Sequence, residues 1–466
     1  MSYQALGPIL LGSFGALLLL RVPVAVALGT SAVLVIYLGQ LGVGVISYNF
    51  QAAIAKFPLL AIPFFILAGV VMDRAGIAER IVGFALATVG RLPAGAAVAG
   101  VAVAMFWGAV SGSGPATVAA LAPILVPMMV RRGYGKPFAA ALISASAELS
   151  IIIPPSIAFI LYATIVSGSV AEQFLAGVLP GILMGLLLMA AALWIVRRRG
   201  WDRQPSGGRA GASAQTGENG PAEGAAGHHP GFGPESRLPP LLEGSMNPWR
   251  RLREASWGLL TPVIILGGVY GGVFTPTEAA VVAVAWGLLV GFFVYRTLRL
   301  SDLTPMLHEA AVSSAVVMGI VAWAGLFAWA ADTIGLVGRI SQAALAAAGR
   351  PYLFLGLLNV AFLFLGTLMD AVSIYYVTLP VLIPVIAHLG WDPVWFGVMM
   401  TVNLAIGQVT PPVAVNLFVA SRVNRISIEA LWGEAWRLVV AGLIGLILVT
   451  YLPGLSLSLP RLLYAR

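Results

Sequence analysis

The chain contains no cysteine, and Asp, Glu, Lys and Arg together make up only 9% of its 466 residues. The first absence excludes disulfides and thiol chemistry and by itself says nothing of compartment. The second excludes an ordinary soluble surface. With 59% hydrophobic residues and a mean hydropathy of +0.95, most of the chain must face lipid or other apolar helices. A leader cleavage signal is also missing: the first apolar region is followed by Arg21 and no small-residue processing motif, so it reads as a retained helix. Catalytic motifs are incomplete. His308-Glu309 begins a zinc-protease-like pattern, but Val312 stands where the second histidine is needed, and Ser113 has no nearby base. The net charge of +8 sits at the ends of apolar runs, which is the pattern of cytoplasmic membrane loops rather than of a nucleic-acid surface.

Two stretches interrupt the long apolar runs with small, polar and proline residues: Ser111-Gly112-Ser113-Gly114-Pro115, and Ala147 to Ser156 with its Pro154-Pro155 pair. In hydrocarbon an unpaired backbone group costs several kcal/mol, so such breaks survive only inside protein or beside a polar cavity. The pattern recurs. An offset of 257 carries Pro154-Pro155 to Pro411-Pro412, Pro123 to Pro380, Gly133 to Gly390, Glu172 to Glu429 and Ser113 to Asp370. Upstream the offset becomes 259 and pairs Gly76 with Gly335 and Arg80 with Arg339. The chain is an internal duplication, and paired broken apolar segments are the best sequence pointer to a transporter's binding site.

The resulting plan is an all-α polytopic membrane protein of two inverted-topology repeats, each with scaffold helices, a re-entrant hairpin and a broken helix. Repeat 1 comprises scaffold helices over 1–72 (near 5–20, 22–39 and 58–72), then an arm, hairpin, broken helix and closing helix over 73–199. A Gly-, Pro- and Ser-rich stretch reads as a cytoplasmic linker over 200–253, and its His228-His229 pair is too isolated for a metal site. Repeat 2 has scaffold helices over 254–330 and the second arm, hairpin, broken helix and closing helix over 331–466. The hairpin reading follows from charge: Arg91 precedes one arm and Arg131-Arg132 ends the other, so both ends are cytoplasmic. Each arm is about 17 residues, barely a full span. Two complete spans would place the turn at the far surface, where nothing requires its second copy to carry an aspartate. The second copy mirrors these charges, with Arg422 and Arg425 answering Ser167-Gly168-Ser169; Arg350 departs from the rule.

Inversion brings two tips and two breaks together near the midplane. Helices starting after Pro115 and after Ser156 then present free N–H groups to the interior, which favours an anion. No Lys or Arg occurs in the predicted hairpins or broken spans. Sodium, a hard ion, prefers oxygen ligands, and Ser111, Ser113, Thr367, Asp370, Asn403, Thr410 and carbonyls at the breaks offer them. Asp370 also suits a helix-capping role, and Asn403 and Gln408 suit satisfaction of broken backbone.

These residues resemble the large membrane subunit of the tripartite ATP-independent periplasmic (TRAP) transporters, within the ion-transporter superfamily. The similarity rests on Ser111-Gly112-Ser113, Arg132-Gly133-Tyr134, Ile153-Pro154-Pro155-Ser156, Phe174-Leu175-Ala176-Gly177, Phe274-Thr275-Pro276-Thr277-Glu278-Ala279 and Thr410-Pro411-Pro412-Val413 with Asn416-Leu417-Phe418. It implies an elevator-type, sodium-coupled importer of an organic acid in the bacterial inner membrane, with no cofactor beyond sodium as coupling ion. It implies two partners, a small four-helix membrane subunit and a periplasmic substrate-binding protein. Because the first apolar run begins almost at Met1, the small subunit is expected to be a separate chain. One departure stands out: where the family usually has Gly-Thr-Leu-Gly before the first Pro-Pro break, this chain has Ala147-Glu148-Leu149-Ser150. A glutamate there suits cation binding, proton carriage, a cationic substrate group or simple satisfaction by hydroxyls.

The expected substrate contacts are Ser111, Gly112, Ser113, Gly114, Glu148, Ser150, Pro154, Pro155, Ser156, Asn403, Pro411, Pro412 and Asn416. The expected sodium ligands are Ser113, Ala147, Ser150, Gly366, Thr367, Asp370, Gly407, Gln408 and Thr410. Alternatives are a proton-coupled or stand-alone carrier of the same superfamily, and a structural membrane subunit without its own site. The missing nucleophile and metal motifs argue against an intramembrane hydrolase.

Overall fold

Backbone that cannot bond to water must bond to itself, and the described residues do so entirely with helices and tight turns. The computed structural model describes residues 3–90, 92–201, 247–347 and 349–464. Arg91, His228-His229 and the greater part of the 200–253 stretch lie outside the described residues.

Repeat 1 opens with α1 (Tyr3–Leu19), α2 (Val24–Leu38), α3 (Gly44–Ile54) and α4 (Ala61–Arg74), the last entered through a 3-10 turn at Phe57–Leu60. Arm helix α5 (Ile77–Val89) leads to hairpin helices α6 (Gly95–Ser111) and α7 (Gly114–Arg131). The first broken span is α8 (Lys136–Ser146), a 3-10 segment over Ala147–Ile151 and α9 (Ile157–Ile165); α10 (Val170–Arg199) closes the repeat. Repeat 2 follows as α11 (Pro248–Tyr270), α12 (Pro276–Leu289, continued by a π turn to Val294), α13 (Leu303–Thr333) and arm α14 (Leu336–Ala347). Hairpin helices α15 (Pro351–Leu368) and α16 (Ala371–His388) precede the broken pair α17 (Pro393–Gly407) and α18 (Val415–Asn424). α19 (Ile428–Tyr451) and α20 (Gly454–Leu463) end the fold.

The duplication is visible in backbone chemistry as well as in order. Gly76 and Gly335 both take left-handed conformations, at φ 69° and 70°, immediately before the two arms. Arg80 and Arg339 each turn back to donate to the carbonyls of those glycines, at 2.8 and 3.3 Å. Gly133 and Gly390, paired by the same internal alignment, also share positive φ, at 88° and 63°.

Side-chain pairs fix the relative direction of the repeats. Arg199 at the end of α10 bonds Glu434 near the start of α19 at 2.7 Å, so these ends share the basic, cytoplasmic side. Tyr162, near the end of α9, donates to Pro393 O at the start of α17 at 2.7 Å. The end of one broken span thus meets the beginning of the other, as inversion requires. α4 packs on α12, α13 on α2, α3 and α4, and α1 on α2, forming one group; the hairpins, broken spans, α10, α19 and α20 pack among themselves as a second. The arms α5 and α14 link them.

Three elements differ from the sequence reading. α3 was not expected: it buries none of its residues and mixes Ser47, Asn49 and Gln51 with apolar ones, so it carries no span-like signal. α11 begins at Pro248, within the stretch read as linker over 200–253, because Asn247 caps it and accepts the Trp249 amide at 3.0 Å, an onset masked by the surrounding arginines. α20 follows Pro453 where only one closing helix was foreseen.

Close backbone approach makes a direct test. A Cβ on Gly407 would lie 2.6 Å from the Gly366 carbonyl carbon, whereas one on Gly319 would meet nothing within 4 Å. Gly407→Ala should destabilise the chain by about 1–3 kcal/mol, because the obstacle is backbone that cannot rotate away. Gly319→Ala should stay within about 0.5 kcal/mol of the parent. Thermal unfolding of the detergent-solubilised variants reads the difference, and equal midpoints would refute the contact.

Candidate functional site

The first tip forms because Gly112 turns left-handed at φ 61° and Ser113 is extended, after which α7 starts at Gly114 with Pro115 in its first turn. Ser111 Oγ donates to Ser113 O at 3.3 Å, tying the turn to itself. A Cβ on Gly112 would lie 3.2 Å from Pro155 O and 3.4 Å from Ile157 N, so this tip rests on the first break at the start of α9. There Ser156 caps α9, accepting from Phe159 N and donating to Ile151 O at 2.6 Å. Gly108 lets α6 approach the same segment: its Cβ would lie 2.7 Å from Ser150 Cα. Ser150 in turn shares a buried 2.7 Å hydrogen bond with Thr117 on α7.

The second tip uses different chemistry. Met369 is extended and Asp370 caps α16, its two oxygens accepting from Ser373 N at 3.1 Å and Ser373 Oγ at 2.7 Å. The tip rests on the second break, where Val413 N donates to Thr367 O at 3.1 Å beside the Gly366–Gly407 contact. Thr367 and Thr410 hydroxyls donate back to the carbonyls of Phe364 and Ile406. Pro411-Pro412 lies in the turn between α17 and α18.

The second break also reaches the first tip. A Cβ on Gly114 would lie 2.7 Å from Gln408 Oε1 and 2.8 Å from Asn416 Oδ1. Neither oxygen has a hydrogen-bond partner among the described residues, and Asn416 is fully buried. Gln408 O accepts the Asn416 amide at 3.0 Å, and Asn416 Nδ2 donates to Ser144 O on α8 at 3.4 Å. Gly407 therefore touches one tip and Gln408 the other. Helix starts at α7, α9 and α18 gather here, each contributing N–H dipoles, while two amide oxygens remain free to face a cation.

Two expected residues lie elsewhere. Glu148 is 1% exposed, and its unpartnered Oε1 lies where a Cβ on Gly442 of α19 would be 3.5 Å away. Asn403 is fully buried and donates to Asn359 on α15, at 2.9 Å to its carbonyl and 2.8 Å to its Oδ1. Ala147 and Ser150 belong to the 3-10 segment, and Pro154-Pro155 to the bend after it. Thr117, Gly108, Asn359 and Ser373 were not singled out from the sequence. Thr117 and Ser373 occupy the fourth and third positions after their tip residues Ser113 and Asp370, a spacing that would have found them.

The family model of the tripartite ATP-independent periplasmic transporter, DctM component, matches residues 11–455. The isethionate TRAP transporter permease protein DctMQ of Oleidesulfovibrio alaskensis is 37% identical over 97% of this chain, which spans 66% of that protein. The C4-dicarboxylate TRAP transporter large permease protein DctM of Rhodobacter capsulatus is 34% identical over 98% of this chain and 99% of its own. The sialic acid TRAP transporter large permease protein SiaM of Vibrio cholerae is 32% identical over 90% of each chain. Among solved structures, the Alcanivorax borkumensis YdaH transporter superposes with a TM-score of 0.56 over 90% of this chain and 91% of its own, at 16% identity, a likeness of fold.

The Thr117–Ser150 bond generates a cycle. Thr117→Val should cost about 1–3 kcal/mol by stranding a buried hydroxyl. Adding Ser150→Ala should recover part of that loss, so the double variant is more stable than the sum of the singles predicts. Strict additivity in thermal unfolding would contradict the bond.

Proposed function

The chain belongs to the DctM family of large permease subunits of tripartite ATP-independent periplasmic transporters, and on that premise we propose that it imports an organic acid together with sodium by an elevator movement. It is a multi-pass protein of the inner membrane, with eight helices long and apolar enough to cross it among the described residues. The hairpins, broken spans and closing helices act as the moving body, and α1–α4 with α11–α13 as the scaffold. The relatives that carry isethionate, C4-dicarboxylates and sialic acid in their names all point to an acid as cargo. A small membrane subunit and a periplasmic substrate-binding protein complete the assembly. The relatives are permeases, and no reaction is required of this chain.

One observation carries the coupling: the unpartnered Gln408 Oε1 and Asn416 Oδ1 converge on Gly114 where the first tip meets the second break. Burying acceptors without donors is unfavourable, and a cation shared between them removes the penalty. Sodium prefers oxygen ligands, which these two carbonyl oxygens supply while Asn416 Nδ2 donates to Ser144 O. The adjacent helix starts then favour the carboxylate of the substrate, so cation and anion neutralise each other in the low-dielectric interior. Gly112 and Gly114 admit the substrate closely because they present backbone rather than side chains, and Ser113 between them offers a hydroxyl. Asp370 contributes by holding the second tip through Ser373.

An ion that binds only the folded chain raises its stability by RT ln(1 + [L]/Kd). Titrating sodium chloride against choline chloride should therefore raise the thermal midpoint saturably. Gln408→Leu and Asn416→Leu should each abolish most of the increment. An unchanged midpoint in sodium, or an increment untouched in both variants, would refute this site.

A further inference from the structure

Lys56 stands between α3 and the 3-10 turn that opens α4, and its Nζ donates to Thr164 O at 3.3 Å across 108 residues of chain. Thr164 belongs to the last turn of α9, where carbonyls lack partners within the helix. The neighbouring carbonyls of Tyr162 and Ala163 accept from Val166 N and Gly168 N, at 3.0 and 2.8 Å. The lysine thus supplies a donor to the negative end of a helix dipole.

The two partners belong to different bodies. α3 is pinned to α13 by the edge-on contact of Phe50 with Trp323, centroids 5.0 Å apart, and by Gly325, whose missing side chain admits Ala53. α9 is pinned to the other body by the Tyr162–Pro393 bond and the edge-on Tyr162–Tyr375 pair at 5.8 Å. Sidedness follows from charge: α9 ends at Ser167-Gly168-Ser169 without a basic residue, so the contact lies at the periplasmic end.

The opposite half of α13 is less covered. α13 starts beside Arg74, which pairs with Glu309 at 3.2 Å. Between Thr304 and Val316 only Met306 and Ala310 of this helix are buried, whereas its periplasmic half buries Val321, Leu326 and Phe327. Neither body covers most of this half among the described residues, and the uncovered stretch carries polar Thr304, His308, Glu309, Ser313 and Ser314, which suits water rather than lipid.

We infer that Lys56 is a periplasmic latch: by capping α9 from the scaffold it stabilises the arrangement closed to the periplasm and open to the cytoplasm, and it must let go on every cycle. This rests on the elevator reading above. A movement that carries α9 along the membrane normal removes Thr164 O from reach, so the bond exists in one state and biases the equilibrium toward it.

The absence of cysteine makes a clean test possible. Ser313→Cys places a single thiol on the exposed cytoplasmic half of α13 in the full chain. Its labelling rate by a charged maleimide, supplied from the cytoplasmic side of inside-out vesicles, reports the open state. Lys56→Met should slow labelling about two- to fivefold, the population shift corresponding to one helix-terminal charge. Lys56→Arg, which keeps a donor at the carbonyl, should restore the parent rate and shows that the loss is not misfolding. Repeating the measurement in sodium chloride and in choline chloride separates the two ideas. A rate that responds to sodium but not to Lys56→Met overturns the latch and leaves the elevator standing; a rate that responds to neither overturns both.

Discussion

Everything in this structure depends on the requirement that a backbone amide or carbonyl at membrane depth find a partner. Continuous helices meet it without help, so each departure from helix must be answered locally. At the first tip the answer is a left-handed glycine and a serine bonded across its own turn. At the second it is an aspartate that caps the next helix through Ser373. At the first break Ser156 takes the role, reaching back to Ile151 and forward to Phe159. Each device lies where the chain is also needed to approach something closely, which explains why glycine, proline and small hydroxyl residues occupy these places together.

The inverted duplication turns these local solutions into a site. Each tip rests on the break of its own repeat, and the second break additionally reaches the first tip. Partial positive charge from three helix starts and unpaired oxygen from two amides then occupy one small volume without a formal charge from lysine or arginine. That neutrality suits the proposed load of anion and cation moving together, since a fixed buried charge would have to be desolvated anew with each change of surroundings.

Much of this was legible in the sequence because the signals are backbone signals. The sequence alignment paired Gly76 with Gly335 and Arg80 with Arg339, and the structure gives each pair the same left-handed turn and the same back-bond. Ser113 and Asp370 were matched by the same offset, and both precede the returning helix of a hairpin in extended conformation. What sequence could not supply was direction of side chains. Glu148 drew attention as an acid where the resembled family usually has threonine, but which face of a 3-10 segment it occupies depends on a pitch that differs from that of the preceding helix, and its oxygen ends beside Gly442. Asn403 lies on a regular helix, yet its partner Asn359 is on the hairpin arm, a contact set by packing. α3 escaped notice because a short helix lying on other helices needs no apolar run of its own.

The adjacency of Gly407 and Gln408 has a thermodynamic meaning. Two residues joined by one peptide bond face opposite tips, so fixing the torsions of either restricts the other. A ligand that orders the glutamine side therefore lowers the entropy cost of seating the second tip on the glycine side, and the benefit is the same in the reverse direction. The second break works as a shared ledger of occupancy between the halves, and cooperativity between the proposed cargo and coupling ion would need no longer path than that single bond.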